Sequence, residues 1–116
     1  MIATSAHTRI WAYPEPCDLR KGYNGLYGLV VESMGRDPLV GDLFLFVSRR
    51  RTSCKVLHHD GSGLSIYMKR LDEGRFARLW RRDAEGNVRL SASELALFLE
   101  GNLEVGYRSL SPISRE

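Results

Sequence analysis

The segment that decides the fold is Leu57–Phe76, which reads LHHDGSGLSIYMKRLDEGRF. Its DGSG run at 60–63 is typical of a tight turn, because aspartate caps its own backbone and glycine accepts a positive φ. The alternation over Leu64–Leu71 predicts a β-strand with apolar side chains on one face and Tyr67 and Lys69 on the other. The segment therefore predicts a hairpin whose second strand presents an aromatic residue and cations to an anionic ligand.

The residues just before this hairpin extend it into a three-stranded meander. Asp42–Ser48 (DLFLFVS) predicts one strand, and Cys54–His59 (CKVLHH) predicts its antiparallel partner. The tip between the two strands is Arg49–Ser53. Leu64–Leu71 pairs next, which gives the antiparallel meander.

The N-terminal third predicts a strand followed by a helix. Arg9–Tyr13 reads as a strand that stops at a Pro-Glu-Pro run, since proline cannot donate to a ladder. Asp18 as N-cap predicts a helix to about Met34, with Gly35 as its stop. The buried stripe of this helix would be Leu19, Tyr23, Leu26 and Val30.

Three glycines interrupt that helix, at Gly22, Gly25 and Gly28. Each costs about 1 kcal/mol relative to alanine. Their spacing indicates either close packing of the helix on the sheet, which is the commoner cause, or a groove for a partner.

The C-terminal third predicts a second helix. Ser91 and Glu94 form a capping box at its start, and Gly101 ends it. Its buried stripe would be Leu95, Phe98, Leu99 and Asn102. A short hairpin between Arg78–Arg82 and Val88–Leu90 is also predicted.

Together these patterns predict a single α+β domain, an antiparallel meander sheet packed by an N-terminal and a C-terminal helix. With 116 residues the chain has room for one core. We expect a loose leader at 1–8, the domain at 9–105 and a flexible tail at 106–116. No apolar run reaches the length that spans a bilayer and no signal peptide is visible, so we expect a soluble cytoplasmic protein with no membrane partner.

The positive charge is concentrated in the middle of the chain. Residues 1–48 carry a net charge of −1, residues 49–82 carry +7 and residues 83–116 carry −3, against +3 for the whole chain. A local cluster steers polyanions more than the total charge does, because distant charges are screened.

The chain offers little chemistry for catalysis or for cofactors. It has no P-loop, no nucleophile elbow and no Cys/His pair with an orienting group. The carboxylates fall at caps and turns, Cys17 and Cys54 lack metal-ligand spacing, and the adjacent His58 and His59 point to opposite faces of a strand. We therefore expect neither an enzyme nor a bound metal or cofactor.

Four segments together resemble one protein family. They are DLRKGxxGLxxLV at 18–30, GDLFLFxxRRR at 41–51, DGxGLxxYxKRLxxGRF at 60–76 and LSAxELAxxLEG at 90–101. In this order they resemble the accessory protein TnpB (Orf2-like) of insertion-sequence-66-type bacterial transposons. The resemblance implies a non-catalytic role in DNA transposition, beside a separate transposase and other transposon-encoded proteins.

The charge distribution suggests how such a protein would act. Guanidinium groups suit phosphate oxygens, and a hairpin tip can straddle a nucleic-acid backbone. We expect DNA, at the transposon ends, to be the ligand, with Tyr67 and Trp80 available for stacking. The expected phosphate contacts are Arg49, Arg50, Arg51, Lys55, Lys69, Arg70, Arg75, Arg78, Arg81 and Arg82.

A second hypothesis remains open, in which the protein docks onto the transposase without touching nucleic acid. Its support is the glycine-lined first helix and the acidic second helix, with Glu94, Glu100 and Glu104.

Overall fold

The computed structural model describes residues 8–79 and 88–101. Five strands form one sheet in the order β4-β3-β2-β1-β5. The β1–β2 pair is parallel and the other three pairs are antiparallel. The predicted α+β class is confirmed, although the sheet is mixed rather than wholly antiparallel. The strands are β1 (Ile10–Ala12), β2 (Leu43–Val47), β3 (Ser53–His59), β4 (Leu64–Arg70) and β5 (Val88–Leu90).

The predicted meander is confirmed to within one residue at each strand end. In β2–β3, Leu43 lies opposite His58, and in β3–β4, Ser53 lies opposite Arg70. All five β2 residues are buried, because β2 lies in the middle of the sheet with an apolar layer on each face. This explains why DLFLFVS is a continuous apolar run rather than an alternating one.

One face of the sheet is covered by helix α1 (Tyr23–Gly28), which continues as the π-helical turn Leu29–Ser33. The Met34 N–H donates to the Leu29 carbonyl at 3.0 Å, five residues back. Leu26 and Val30 are fully buried against Phe44, Phe46 and Leu57. We call this side of the sheet the α1 face.

The predicted start of the first helix is wrong. Gly22, rather than Asp18, occupies the N-cap position. The Asp18 carboxylate accepts the Arg20 N–H at 3.0 Å, so its capping capacity is used in a local turn that competes with the helix. Tyr23 thus falls in the first helical turn and is 52% exposed, which removes it from the predicted buried stripe. Gly35, with φ of +67°, does follow the end of the helix as predicted.

The glycines of this helix do not serve close packing against the sheet. A Cβ atom built at Gly22 or at Gly28 would meet nothing within 4 Å. At Gly25 it would meet only the Lys21 side chain. The packing interpretation of this glycine spacing is therefore wrong, and the glycine-bearing surface is open among the described residues.

The opposite side, the α2 face, is covered by helix α2 (Ala92–Glu100). The capping box is confirmed: the Ser91 hydroxyl accepts the Glu94 N–H at 3.1 Å, and the Glu94 carboxylate accepts the Ser91 N–H at 2.8 Å. Leu95 and Phe98 are buried, and Gly101 ends the helix with φ of +70°. Asn102, the last residue of the predicted stripe, lies outside the described residues.

Of the predicted C-terminal hairpin, the structure describes the second strand and the first two residues of the other. Val88–Leu90 does form a strand, but it pairs with β1, with Trp11 opposite Arg89. Leu79 lies in the core outside any strand, and residues 80–82 lie outside the described part of the chain. No helix within residues 8–79 and 88–101 is long and apolar enough to cross a membrane.

A buried carboxylate connects the N-terminal ends of the parallel strands β1 and β2. Asp42 is 4% exposed. It accepts the Trp11 indole N–H at 3.1 Å and forms an ion pair with Arg9 at 3.1 Å. The guanidinium of Arg36 stacks 3.5 Å from the centre of the Trp11 ring, which attaches the segment after the first helix to β1.

We expect Asp42→Ala to lower the free energy of unfolding by about 2 to 3 kcal/mol, because the buried indole N–H and the Arg9 guanidinium would lose their acceptor. Urea denaturation followed by circular dichroism measures the change. Asp72→Ala, at an exposed carboxylate, is the control and should stay within about 0.5 kcal/mol of wild type. Equal effects of the two substitutions would contradict this role for Asp42.

Candidate nucleic-acid interface

The β2–β3 tip is a defined turn rather than a loose loop. The Ser48 N–H donates to the Ser53 carbonyl at 3.0 Å, and the Arg51 N–H donates to the Ser48 carbonyl at 2.9 Å. Arg51 adopts a left-handed conformation with φ of +63°. The turn therefore fixes the backbone from which the three consecutive arginines project.

Arg51 joins this tip to the loop that follows β4. Its guanidinium donates to the Phe76 carbonyl at 3.0 Å, and its own carbonyl accepts the Phe76 N–H at 2.7 Å. Phe76 is fully buried and stacks on Phe98 of α2, with ring centres 4.8 Å apart. Arg51 thus holds the loop at residues 71–75 beside the tip.

This arrangement brings four exposed arginines to one end of the sheet. Arg49 and Arg50 lie on the tip, Arg70 ends β4 opposite Ser53, and Arg75 directly precedes the anchored Phe76. None of the four guanidinium groups forms a hydrogen bond or an ion pair with a described residue. We call these four residues the arginine patch.

Two acidic residues share the loop with Arg75. Asp72 and Glu73 are exposed and form no ion pair with any described residue. With Arg51 included, the tip and the loop carry five arginines against these two carboxylates. The potential at this end of the sheet is therefore positive.

Three other residues that were predicted to contact DNA have side chains that contact other parts of the protein. The Lys55 ammonium donates to the Lys21 carbonyl at 2.9 Å, on the α1 face. The Lys69 ammonium donates to the Leu99 carbonyl at 2.6 Å, near the C-terminus of α2, where a cation is favoured by the helix dipole. Tyr67 is half-buried and packs against the core under α2.

The structure describes one of the four remaining residues that were predicted to contact DNA. Arg78 is exposed and already takes part in an interaction within the protein. Trp80, Arg81 and Arg82 lie outside the described residues.

An open groove of about 440 Å³ adjoins the patch on the α1 face. Cys17, Leu19 and Met68 contribute its apolar lining, and Arg49 and Arg50 form part of its rim. The Cys17 N–H donates to the Val47 carbonyl at 2.9 Å, which brings the loop after β1 to this end of the sheet.

The comparisons with known proteins identify the family of this chain. The family model described as IS66 Orf2 like protein matches residues 8–105. This chain belongs to the IS66 Orf2-like family. Membership indicates an accessory protein of a transposon.

Two curated relatives come from Sinorhizobium fredii (strain NBRC 101917 / NGR234). The uncharacterized proteins y4jC and y4hO are each 34% identical to this chain over 101 residues. The alignments cover 87% of this chain, with 85% of y4jC and 86% of y4hO. No solved structure matches.

Within this IS66 Orf2-like protein, the DGSG turn lies at the opposite end of the sheet from the arginine patch. The Asp60 carboxylate accepts the N–H groups of Ser62 and Gly63, at 2.9 and 3.0 Å. These hydrogen bonds hold the pKa of Asp60 below its usual value. The turn is therefore structural, and only the Arg70–Phe76 end of this motif reaches the candidate interface.

The groove also contains a residue that sequence reasoning did not select. Arg20 lines the groove and forms an exposed ion pair with Asp18 at 2.8 Å. The hydrogen bonds from Arg20 hold the pKa of Asp18 below its usual range. The sequence predicts Asp18 as a helix cap, and a helix that began there would carry Arg20 away from the tip.

Both cysteines are buried, and the two described histidines, His58 and His59, end β3. Burial raises the pKa of the Cys17 thiol to about 11 and that of Cys54 to about 12. His59 accepts the Gly61 N–H through Nδ1 at 3.2 Å. No group of three potential ligands converges within the described part of the chain.

We expect the arginines of the tip to differ in their contribution to the free energy of unfolding. Arg51→Ala should lower the free energy of unfolding by about 1 to 2 kcal/mol, since the Phe76 carbonyl loses the charged donor of a partly buried hydrogen bond. Arg49→Ala should stay within about 0.5 kcal/mol of wild type. Urea denaturation of both variants measures this, and equal stabilities would contradict the anchoring role of Arg51.

Proposed function

We propose that this protein supports transposition by binding DNA through the arginine patch. The observation that carries the proposal is the convergence of four exposed arginines, without partners among the described residues, at one end of the sheet. Guanidinium groups bind phosphate oxygens through paired hydrogen bonds, and several on one surface follow a charged backbone.

The surroundings of the patch favour duplex backbone over unpaired bases. Single-strand binding relies on aromatic side chains that stack on successive bases. Tyr67, the described aromatic residue of β4, is half-buried against the core and faces α2. The patch itself consists of arginines, which suits contacts to phosphates rather than to base faces.

The protein is proposed to contribute binding and positioning rather than chemistry. The carboxylates near the patch, Asp72 and Glu73, belong to one short loop, and Asp18 is engaged by Arg20. Two-metal phosphoryl transfer requires carboxylates that converge on one site from fixed positions. The transposase would supply the strand cleavage and joining.

Fluorescence anisotropy with a labelled transposon-end duplex, over a salt series, tests the proposal. For the wild-type protein, the logarithm of the binding constant should fall linearly with the logarithm of salt concentration. Arg49→Gln/Arg50→Gln should reduce the magnitude of this slope by roughly two, because a protein that has lost two phosphate contacts releases about two fewer counterions on binding. The reduction should be similar on a scrambled duplex if the contacts are to phosphates alone.

The control is Arg89→Gln, at an exposed arginine on β5, away from the tip. It should leave the slope close to that of the wild type. An equal effect of Arg89→Gln would contradict the assignment to the patch. Equal wild-type affinity for both duplexes would remove a role in end recognition.

One observation favours the docking hypothesis as a second candidate. The surface around Gly22, Gly25 and the exposed Tyr23 is open among the described residues, and no element of the fold covers it. Of the acidic residues invoked for docking, Glu94 is engaged in the capping box and Glu104 lies outside the described residues. Wild-type protein that fails to bind either duplex at low salt would contradict the DNA proposal and favour docking.

A further inference from the structure

Among residues 8–79 and 88–101, no strand pairs with the outer edge of β4. This strand contains seven residues without proline or a β-bulge, and it forms an edge of the sheet. None of its residues is buried, whereas all five residues of β2 are. Natural proteins usually protect such an edge, because it offers a row of unpaired backbone groups to another strand.

The hydrogen-bond pattern shows which backbone groups are open. The Asp60 N–H donates to the Gly63 carbonyl at 3.1 Å, and the Leu71 N–H donates to the Thr52 carbonyl at 2.8 Å. In an antiparallel ladder, bonded and non-bonded pairs alternate. The odd-numbered residues of β4 therefore bond to β3, and the N–H and C=O groups of four residues point away from it: Leu64, Ile66, Met68 and Arg70.

We propose that β4 pairs in antiparallel orientation with β4 of a second copy of this chain. One two-fold register uses all four open residues of each copy. In it, Ile66 bonds to the partner's Met68, and Leu64 bonds to the partner's Arg70. Tyr67 then lies opposite its own symmetry mate on the axis.

The charges along the strand are complementary to themselves in this orientation. One end of β4 carries Arg70 and leads to Arg75, while the other follows the turn that contains Asp60. Antiparallel pairing brings the Asp60 turn of each copy beside the Arg75 loop of the other. Parallel pairing would instead place cations next to cations, which is unfavourable.

An exposed apolar side chain is covered in the same register. Met68 is 52% exposed. It lies beside Ile66, which packs against the core under α1. In the dimer, Met68 contacts the partner's Ile66, so the apolar layer of the α1 face continues across the axis.

The dimer would carry an arginine patch at each of two opposite ends of a ten-stranded sheet. This consequence rests on the proposed function, since it makes the protein a bivalent DNA ligand. The pairing itself does not depend on DNA binding. Its tests are therefore made without nucleic acid, and their failure would leave the binding proposal standing.

Sedimentation equilibrium of the full chain tests the pairing, with Met68→Pro as the variant. Proline removes an N–H that points away from β3, so the monomer keeps its ladder while the partner loses a donor. We expect a concentration-dependent dimer for wild type, a monomer for Met68→Pro, and a dimer for the control Met68→Thr, which keeps the N–H. Circular dichroism should show the same fold for all three.

A cysteine pair tests the register independently of the proline variant. Tyr67→Cys should form an oxidised dimer, since an antiparallel non-bonded pair brings its Cα atoms to about 4.5 Å. Ser65→Cys, on the same face, lies four positions from its symmetry mate and should not cross-link. The buried native thiols should not interfere.

Three results would overturn the proposal. One is a folded wild-type protein that stays monomeric from micromolar to near-millimolar concentration. A second is cross-linking of Ser65→Cys in preference to Tyr67→Cys. A third is a monomer whose Ile66 and Met68 amides resist hydrogen exchange, since another segment of the same chain would then occupy the edge.

Discussion

Two hydrogen bonds between Arg51 and Phe76 hold together the parts of the molecule on which the candidate interface depends. One runs from the Arg51 guanidinium to the Phe76 carbonyl, and the other from the Phe76 N–H to the Arg51 carbonyl. Because Phe76 is buried and stacked on Phe98, these bonds connect the β2–β3 tip, the loop after β4 and helix α2. With the bond from the Leu71 N–H to the Thr52 carbonyl at the start of the same loop, they hold Arg75 near Arg49 and Arg50.

The basic residues of the segment 49–82 have two different roles. Lys55, Lys69 and Arg51 each donate to a backbone carbonyl of a distant segment, so they connect elements of the fold. The four residues of the arginine patch make no such contact with the described residues. A count of positive charge in the sequence includes both kinds, and only the contacts of each side chain distinguish them.

Features set by neighbouring residues were predictable from the sequence. The Asp60 turn, the Ser91–Glu94 capping box and the Gly101 helix end each arise from a few adjacent residues, and the structure confirms them. The meander was predictable for the same reason, since its strands follow one another through short turns.

Features set by distant contacts were not predictable in this way. The parallel β1–β2 pairing and the β1–β5 pairing join segments far apart in sequence. The helix start at Gly22 depends on Asp18 binding Arg20 instead of capping. Tyr67 and Lys69 were expected to face a ligand because their face of β4 is polar, yet α2, some thirty residues later, lies against that face.

Binding of DNA at the arginine patch can be located residue by residue on the folded protein in solution. Amide chemical shifts of isotopically labelled protein, recorded as duplex DNA is added, report each position separately. We predict that the changes concentrate at residues 48–53 and 70–76, with little change at the Asp60–Gly63 turn or on α1. Changes centred on the glycine-bearing surface of α1, with none at the tip, would contradict it.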